Sequence, residues 1–310
     1  MTSPKNVEQI FDCLDESCMT LYDELRMPYL QGLCETCNNI LSGTMTEELS
    51  LAAQTKLNTS LQAIRDTDFQ KEEIRKALQM AILKGFKHVR RSNADITPDT
   101  IGLLVTFLFE KLTKNVDKLL LFDPLVGTAN LLLTVADNLE KEVVPLGVDN
   151  NIESYKLAES MFDMLEYEEG LYFQDTFTFK NMISDAIVTD FPASALEDGK
   201  YFPYEVIKFH HANLQPGGYF IAVIPNDFFE IAGSDDFKTV IASLYQVIGL
   251  IKLPDSMFKT LGKSILILQK LGESVKKIKK VLLAEIPSFQ DPKAVNEAII
   301  RMDAWFTENL

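Results

Sequence analysis

Apolar residues recur every three or four positions through the first 90 residues of the chain. This spacing places them on one face of an α-helix, and the β-branched runs typical of strands are absent. Four helices are predicted, over residues 5–25, 28–42, 45–65 and 69–90. Pro28 fits the start of a helix and Gly43 the end of one. We therefore expect an N-terminal helical bundle over residues 1–92.

From residue 93 onwards, short apolar runs typical of buried strands alternate with segments of helical periodicity. Seven strands are predicted, at 118–122, 143–148, 171–174, 186–189, 219–224, 248–253 and 264–269. Helices are predicted between them, at 129–140, 152–165, 203–213 and 238–244. This alternation indicates an α/β fold, with a Rossmann-like, doubly wound and mostly parallel seven-stranded sheet.

The end of the chain carries a basic run, KKIKK at residues 276–280, followed by a strand-like VLLAEI and a helix at 291–307. We expect three parts: a helical bundle (1–92), an α/β domain (93–275) and a C-terminal strand and helix appendage (276–310).

The composition fits a globular protein, with 46% apolar and 24% charged residues. No apolar run approaches the ~18 residues of a membrane span, and the N-terminus has no apolar signal core. We therefore expect a cytoplasmic protein that does not bind membranes. The net charge of −15 argues against a protein that coats nucleic acid regardless of sequence.

The four cysteines lie in the first 40 residues, at Cys13, Cys18, Cys34 and Cys37. Their C-x4-C and C-x2-C spacing resembles a zinc pattern. However, the apolar residues around them follow helical periodicity, and a free cysteine on an apolar helix face behaves as a small hydrophobic residue. We interpret them as core residues and expect no metal, with a metal site and a redox pair as the alternatives.

Four successive predicted strands each end in an acidic residue: Asp123, Asp149, Asp175 and Asp190. Doubly wound sheets bind ligands outside the carboxyl ends of their strands, so these carboxylates would line one edge. The alternative is that each acid merely caps a turn or a helix.

The turn after the first strand, DPLVGTAN, contains a single glycine, Gly127, and matches no phosphate-binding motif. Acidic residues also repel phosphates, so the ligand should be cationic or rich in hydroxyls and amines. S-adenosylmethionine fits, since it carries a sulfonium, an α-amino group, a ribose diol and an adenine amine. Asp149 would accept both ribose hydroxyls, and Asp175 would accept from the adenine amine.

The segments ADITPDTIGLLVTFLF, DPLVGTANLL, GVDNN, QDTF, VTDFPA, LQPGGYFIAVIPNDFF and LPDSMFKTLGKSILILQK occur in that order. Residues 93–285 thereby resemble the class I S-adenosylmethionine-dependent methyltransferases. Within these they are most similar to the N6-adenine DNA methyltransferases that include modification subunits of type I restriction systems. The resemblance implies a cofactor site formed by Thr97, Pro98, Asp123, Pro124, Gly127, Thr128, Asn130, Asp149, Asn150, Asp175 and Asp190.

The resemblance also implies a catalytic motif, because Asp190-Phe191-Pro192-Ala193 occupies the place of [DN]-P-P-[YF]. The amine of adenine N6 would attack the methyl carbon while the Asp190 side chain and the Phe191 carbonyl accept its hydrogen bonds. Pro192 would hold the turn. Positioning does most of the work in such a reaction.

Three residues depart from the family pattern. Ala129 replaces a glycine of the cofactor loop, which is tolerable if its φ stays negative. Phe191 replaces the first proline of the catalytic motif, which should loosen the turn. Ala193 replaces the aromatic residue that stacks on a flipped base, a contact worth about 1–3 kcal/mol per base. Tyr201 or Tyr204 in the following loop could take its place.

Two other functions remain open. One is methylation of a protein glutamine, since release-factor methyltransferases also combine a helical N-terminal bundle with an N-P-P-Y motif. The other is a regulatory module that binds the cofactor through a degenerate site. His210 and His211 lie away from the strand ends and are interpreted as packing or surface residues.

Residues 93–270 carry a net charge of −13 and therefore most of the excess acid. Because DNA affinity depends on neutralising phosphates, this chain alone should bind DNA weakly. We expect DNA contacts from the basic residues between Lys84 and Arg91 and from Lys276–Lys280, or from a protein partner that recognises the target. Each basic cluster could equally be a solvated face.

Overall fold

A computed structural model describes residues 2–46, 48–92, 96–167, 169–192, 194, 196, 198–259 and 261–310. The N-terminal helices are α1 (Pro4–Leu25), α2 (Tyr29–Ser42), α3 (Leu51–Arg65) and α4 (Lys71–His88). The four predicted helices are thus confirmed. Helix α3 begins later than expected because Ser50 caps it, its hydroxyl accepting the Ala53 N–H. Gly43 ends α2 with a φ of 72°.

Three of the four cysteines are buried in the bundle core, and the half-buried Cys34 packs against the same core. Burial raises the pKa of Cys18 to about 12, so its thiol stays protonated at neutral pH. Within the described ranges, no three His, Cys, Asp or Glu side chains lie close enough together to hold a metal ion. These positions agree with the interpretation as core residues.

The rest of the chain forms one sheet with helices on both faces. The strands are β1 (Lys118–Asp123), β2 (Glu142–Asp149), β3 (Leu171–Phe173), β4 (Ser184–Asp190), β5 (Leu214–Pro225), β6 (Tyr245–Lys252), β7 (Lys263–Lys270) and β8 (Leu282–Glu285). The helices are α5 (Asp99–Leu112), α6 (Asn130–Asn138), α7 (Ile152–Met164), α8 (Phe202–His210), α9 (Ser234–Leu244) and α10 (Pro292–Asn309). The strand order is β3-β2-β1-β4-β5-β7-β6-β8.

All neighbouring strands run parallel except β7, which is antiparallel to β5 and β6. One apolar core lies under α5, α6, α7 and α10, and a second lies under α8 and α9. The predicted doubly wound, mostly parallel α/β fold is therefore confirmed.

The strand count requires a correction, since the sheet has eight strands rather than seven. The eighth, β8, comes from the segment predicted as an appendage and runs parallel to β6. Gly249 on β6 eases this pairing, because a Cβ there would lie only 3.1 Å from the Leu282 Cβ, closer than such atoms usually approach.

The bundle packs directly on the sheet domain through contacts of α2 and α4 with α6 and α7. A single apolar core continues from the bundle helices into the face of the sheet covered by α5, α6 and α7. The division into three domains at residues 92 and 275 stays a prediction. In the described part of the chain, no helix is both long and apolar enough to cross a membrane.

Candidate functional site

A cavity of about 490 Å³ opens at the carboxyl ends of β1, β2 and β4. These strands are adjacent and parallel, so their last residues reach the same edge of the sheet. Most of the predicted site residues line this cavity: Thr97, Asp123, Gly127, Thr128, Asn130, Asp149, Asn150, Asp190, Phe191 and Pro192. The alternation of strands and helices is what brings together residues almost 100 positions apart.

Three predicted cofactor residues are not among those that line the cavity. Pro98 caps the start of α5, and Pro124 is buried directly after β1. Asp175 is exposed, and its carboxylate accepts the Phe177 N–H at 2.7 Å, which caps a short 3-10 turn. A contact between Asp175 and an adenine ring stays a prediction.

Asp123 lies at the end of β1 and is only 2% exposed. Its Oδ1 accepts the Leu125 N–H at 2.9 Å. Burial raises the pKa of Asp123 to about 7, and the neighbouring carboxylates of Asp149 and Asp190 act in the same direction. Asp123 therefore changes its charge near neutral pH, at the base of the cavity.

The raised pKa of Asp123 predicts a pH-dependent stability. In the unfolded chain the group ionises near its ordinary pKa of ~3.9, whereas in the folded protein it stays protonated up to about pH 7. Asp123 contributes its full share to the free energy of unfolding below pH ~4. This contribution decreases as the pH rises to about 7, and the total loss is at most ~4 kcal/mol. Asp123→Asn cannot ionise, so its stability relative to wild type should increase from pH 5 to pH 8.5 in urea titrations. An unchanged difference would contradict a raised pKa.

Asp149 is held in the cavity wall by backbone donors. Its Oδ2 accepts the Gly127 N–H at 3.0 Å and its Oδ1 accepts the Asn151 N–H at 2.7 Å. Gly127 has a φ of 56°, a conformation that glycine adopts without strain. The DPLVGTAN turn and the Asp149 carboxylate therefore fix each other's position.

The expectation for Ala129 requires a correction. Its φ is +64° rather than negative, so alanine keeps the left-handed conformation that the family's glycine would adopt. This conformation costs an alanine roughly 1–2 kcal/mol. The surroundings impose it because Ala129 is fully buried and forms the N-cap of α6.

Asp190 ends β4, and both of its carboxylate oxygens have donors. Thr97 Oγ1 donates to Oδ2 at 2.8 Å, and Lys263 Nζ donates to Oδ1 at 2.5 Å. Lys263, the first residue of β7, is a site residue that was not predicted. Because β7 is antiparallel, its first residue lies at the carboxyl edge of the other strands. A basic residue at the start of this strand was the only sequence signal for it.

The aromatic substitutes suggested for Ala193 also require a correction. Ala193 itself lies outside the described residues. Tyr201 and Tyr204 are buried in an aromatic cluster with Phe228, and neither lines the cavity. The half-buried Phe202, the first residue of α8, does line the cavity. Phe202 was not predicted, because the sequence does not show which of the neighbouring aromatic residues at the start of α8 lines the cavity.

Phe191, in the place of the motif's first proline, is held by its backbone and by its buried side chain. Its N–H donates to the Val223 carbonyl at 2.9 Å, which extends the pairing of β4 with β5. Its side chain is buried against Phe220, whereas a proline would lack this N–H.

The two basic clusters have different positions relative to the cavity. From the first cluster, Arg91 lines the cavity, and its Nη2 donates a hydrogen bond to the Ser154 hydroxyl oxygen at 3.2 Å. Lys84 instead pairs with Asp15 within the bundle. From the second run, the exposed Lys276 lies near Gly217 at the start of β5, at the edge of the sheet opposite the cavity.

His210 is fully buried and serves packing, as predicted. Its Nε2 lies 2.7 Å from Thr176 Oγ1, and its ring lies against Phe122. Burial lowers the pKa of His210 to about 4, so the ring is neutral at pH 7.

Comparisons with known proteins agree with this architecture. A solved structure from Listeria monocytogenes, described as a candidate class I S-adenosylmethionine-dependent methyltransferase, superimposes with a TM-score of 0.90. The two chains are 31% identical, with 98% of this chain and 100% of that chain covered. A type I restriction-modification methyltransferase subunit from Streptococcus thermophilus superimposes with a TM-score of 0.62 at 15% identity, covering 94% of this chain and 74% of that one.

The strand order, the reversed β7 and these superpositions show that the chain has the class I methyltransferase fold, as the sequence resemblance predicted. Residues 8–86 match the model of the YtxK N-terminal helical domain. The chain is 32% identical to the uncharacterized protein YtxK of Bacillus subtilis (strain 168), over 97% of its own length and 98% of the relative's. The chain therefore belongs to the YtxK family.

Proposed function

We propose that this protein binds S-adenosylmethionine in the cavity and transfers its methyl group to a nitrogen, with adenine N6 in DNA as the acceptor. One observation carries the proposal: the carboxylates of Asp149 and Asp190 share a single cavity with the Gly127 turn. The Listeria relative's description and the fold shared with the type I modification subunit support it.

The residues of the cavity fit this cofactor. The volume of about 490 Å³ lies within the ~300–1,000 Å³ range of small-molecule sites. Asp149, oriented by two backbone N–H groups, retains lone pairs for the two hydroxyls of a ribose. The carboxylates of Asp149 and Asp190 can attract a sulfonium and an α-amino group, while Arg91 and Lys263 balance much of their charge in the same cavity. When bound, the cofactor supplies an electrophilic methyl group.

Asp190 would orient the acceptor amine. A carboxylate has about four lone-pair sites, and Thr97 and Lys263 use two of them. The remaining sites can accept an amine N–H, and the Phe191 backbone carbonyl would accept the second. Phe202 supplies an aromatic surface in the same cavity for stacking a base. These residues hold the nitrogen lone pair in position for in-line attack.

The proposal is tested by transfer of a tritium-labelled methyl group from S-adenosylmethionine to unmethylated duplex DNA, with the nucleosides separated after digestion. We expect label in N6-methyladenine, and only a shallow dependence of transfer on salt concentration, because a domain with few bases neutralises few phosphates. Labelled DNA without N6-methyladenine would contradict the proposed acceptor.

The ion pair between Lys263 and Asp190 favours a second candidate, a regulatory module that binds the cofactor without transferring its methyl group. The side chains are only 22% and 15% exposed, so the ammonium is held firmly where an acceptor amine would approach. In this case Lys263→Met should gain methyl transfer that wild type lacks. If wild type transfers the methyl group and Lys263→Met does not transfer it faster, the ion pair does not inhibit methyl transfer.

A further inference from the structure

The Arg75 guanidinium lies fully buried between the helical bundle and the sheet domain. It extends from α4, and its side chain is 0% exposed. Nε and Nη2 donate to Glu72 at 2.6 and 2.9 Å, and Nη1 and Nη2 donate to Asp99 at 3.1 and 2.8 Å. Nη1 also donates to Asn130 Oδ1 at 2.7 Å. All five N–H donors of the arginine therefore have acceptors.

The hydrogen bonds continue from Arg75 to the cavity. Asn130 Nδ2 donates to the Thr97 carbonyl at 2.8 Å, and Thr97 Oγ1 donates to Asp190 Oδ2 at 2.8 Å. Asn130, Thr97 and Asp190 all line the cavity. A bundle side chain thus connects, through three hydrogen bonds, to the carboxylate that ends β4.

The charge and the planar shape of the guanidinium together make this arrangement specific for arginine. Burial would raise the pKa of Asp99, but the hydrogen bonds and charge of Arg75 lower it below its ordinary value, so the carboxylate is ionised. Gln79 Nε2 adds a further donor to Asp99 Oδ1 at 2.7 Å. A lysine would keep the positive charge, but its single ammonium cannot reproduce a planar fork that contacts three partners.

We propose that Arg75 is a positioning residue through which the helical bundle sets the geometry of the cofactor site. By fixing Asp99 at the start of α5 and Asn130 at the start of α6, it determines where Thr97 lies. Thr97 in turn orients Asp190. This inference rests on the proposed function, since it takes S-adenosylmethionine as the ligand of the cavity.

The test compares Arg75→Lys with Arg65→Lys. Arg65 is the control, because it also extends from a bundle helix and donates hydrogen bonds, to the carbonyls of Ile40 and Asn39, but neither of these partners lines the cavity. Calorimetric titration with S-adenosylmethionine should show at least tenfold weaker binding for Arg75→Lys and less than a twofold change for Arg65→Lys. Circular dichroism establishes that each variant is folded at the titration temperature.

Hydrogen exchange in the absence of ligand distinguishes a local change around the cavity from a general loss of stability. Peptides covering residues 96–103 and 126–134 should exchange faster in Arg75→Lys than in wild type, whereas peptides from β5 and β7 should not. If Arg75→Lys binds within twofold of wild type and protects these peptides equally, the inference is overturned.

The inference stays testable if a variant does not fold or if wild type does not bind the cofactor. If Arg75→Lys does not fold, the double variant Arg75→Gln/Asp99→Asn removes one charge of each sign and takes its place in both measurements. If wild type does not bind S-adenosylmethionine, the proposed function fails, and hydrogen exchange alone confirms or overturns the positioning role.

Discussion

Replacing Asp149 with alanine is expected to weaken the binding of S-adenosylmethionine by about 100-fold or more. The variant removes the carboxylate that would accept two ribose hydroxyls, and hydrogen bonds to a charged group contribute about 1.5–3 kcal/mol each. Since 1.4 kcal/mol corresponds to a factor of ten, the loss of two such bonds exceeds 100-fold. Calorimetric titration of the folded variant measures this directly.

Asp185→Ala is the matched control for Asp149→Ala. The Asp185 carboxylate also accepts a backbone N–H, from Leu120 at 2.7 Å, but Asp185 lies near the start of β4, at the edge opposite the cavity. Both variants lose a carboxylate that accepts hydrogen bonds from the backbone. Only Asp149→Ala also loses a carboxylate that would contact the cofactor. Equal affinities for the cofactor in the two variants would show that the cavity is not the cofactor site.

Asp190→Ala should reduce methyl transfer by at least about 100-fold, the order of effect that misplaced reacting groups produce. Cofactor binding should also weaken, but by a smaller factor than transfer, because Asp149, Thr97 and Asn130 remain in the cavity. The change also leaves the Lys263 ammonium without its partner at a site that is mostly buried, which destabilises the fold. Single-turnover transfer at saturating cofactor separates the chemical step from binding and from stability.

Asp190→Asn serves as the conservative variant for this test. Its Oδ1 can accept from Lys263 and from the acceptor amine, while its Nδ2 donates to the Thr97 hydroxyl oxygen. We therefore expect Asp190→Asn to retain most of the transfer that Asp190→Ala loses. Full activity in Asp190→Ala would remove Asp190 from the mechanism.

The fold and the acidic edge were predictable because they depend on local patterns. The strands β1, β2 and β4 are apolar runs that each end in an acid, so Asp123, Asp149 and Asp190 could be placed at one edge from the sequence alone. The pairing of β8 with β6 could not be predicted, because a short apolar run does not show which strand it will pair with.

The partners of these acids could not be predicted, because they come from distant parts of the chain. Lys263 reaches Asp190 across 73 positions, through the reversal of β7. Arg75 reaches Asn130 across 55 positions, through the packing of the bundle on α6. Helical periodicity places an arginine on a helix but does not show which acidic side chains will surround it.

The central claim, that this protein is a methyltransferase acting on DNA, is tested most directly by labelling a cell extract. Wild type and Asp190→Ala are each incubated with tritium-labelled S-adenosylmethionine and extract from cells lacking the protein, and DNA, RNA and protein are then separated. We predict label in the DNA fraction with wild type only. Label in a protein band would indicate glutamine methylation, and binding of the cofactor without label in any fraction would contradict the account in favour of a regulatory module.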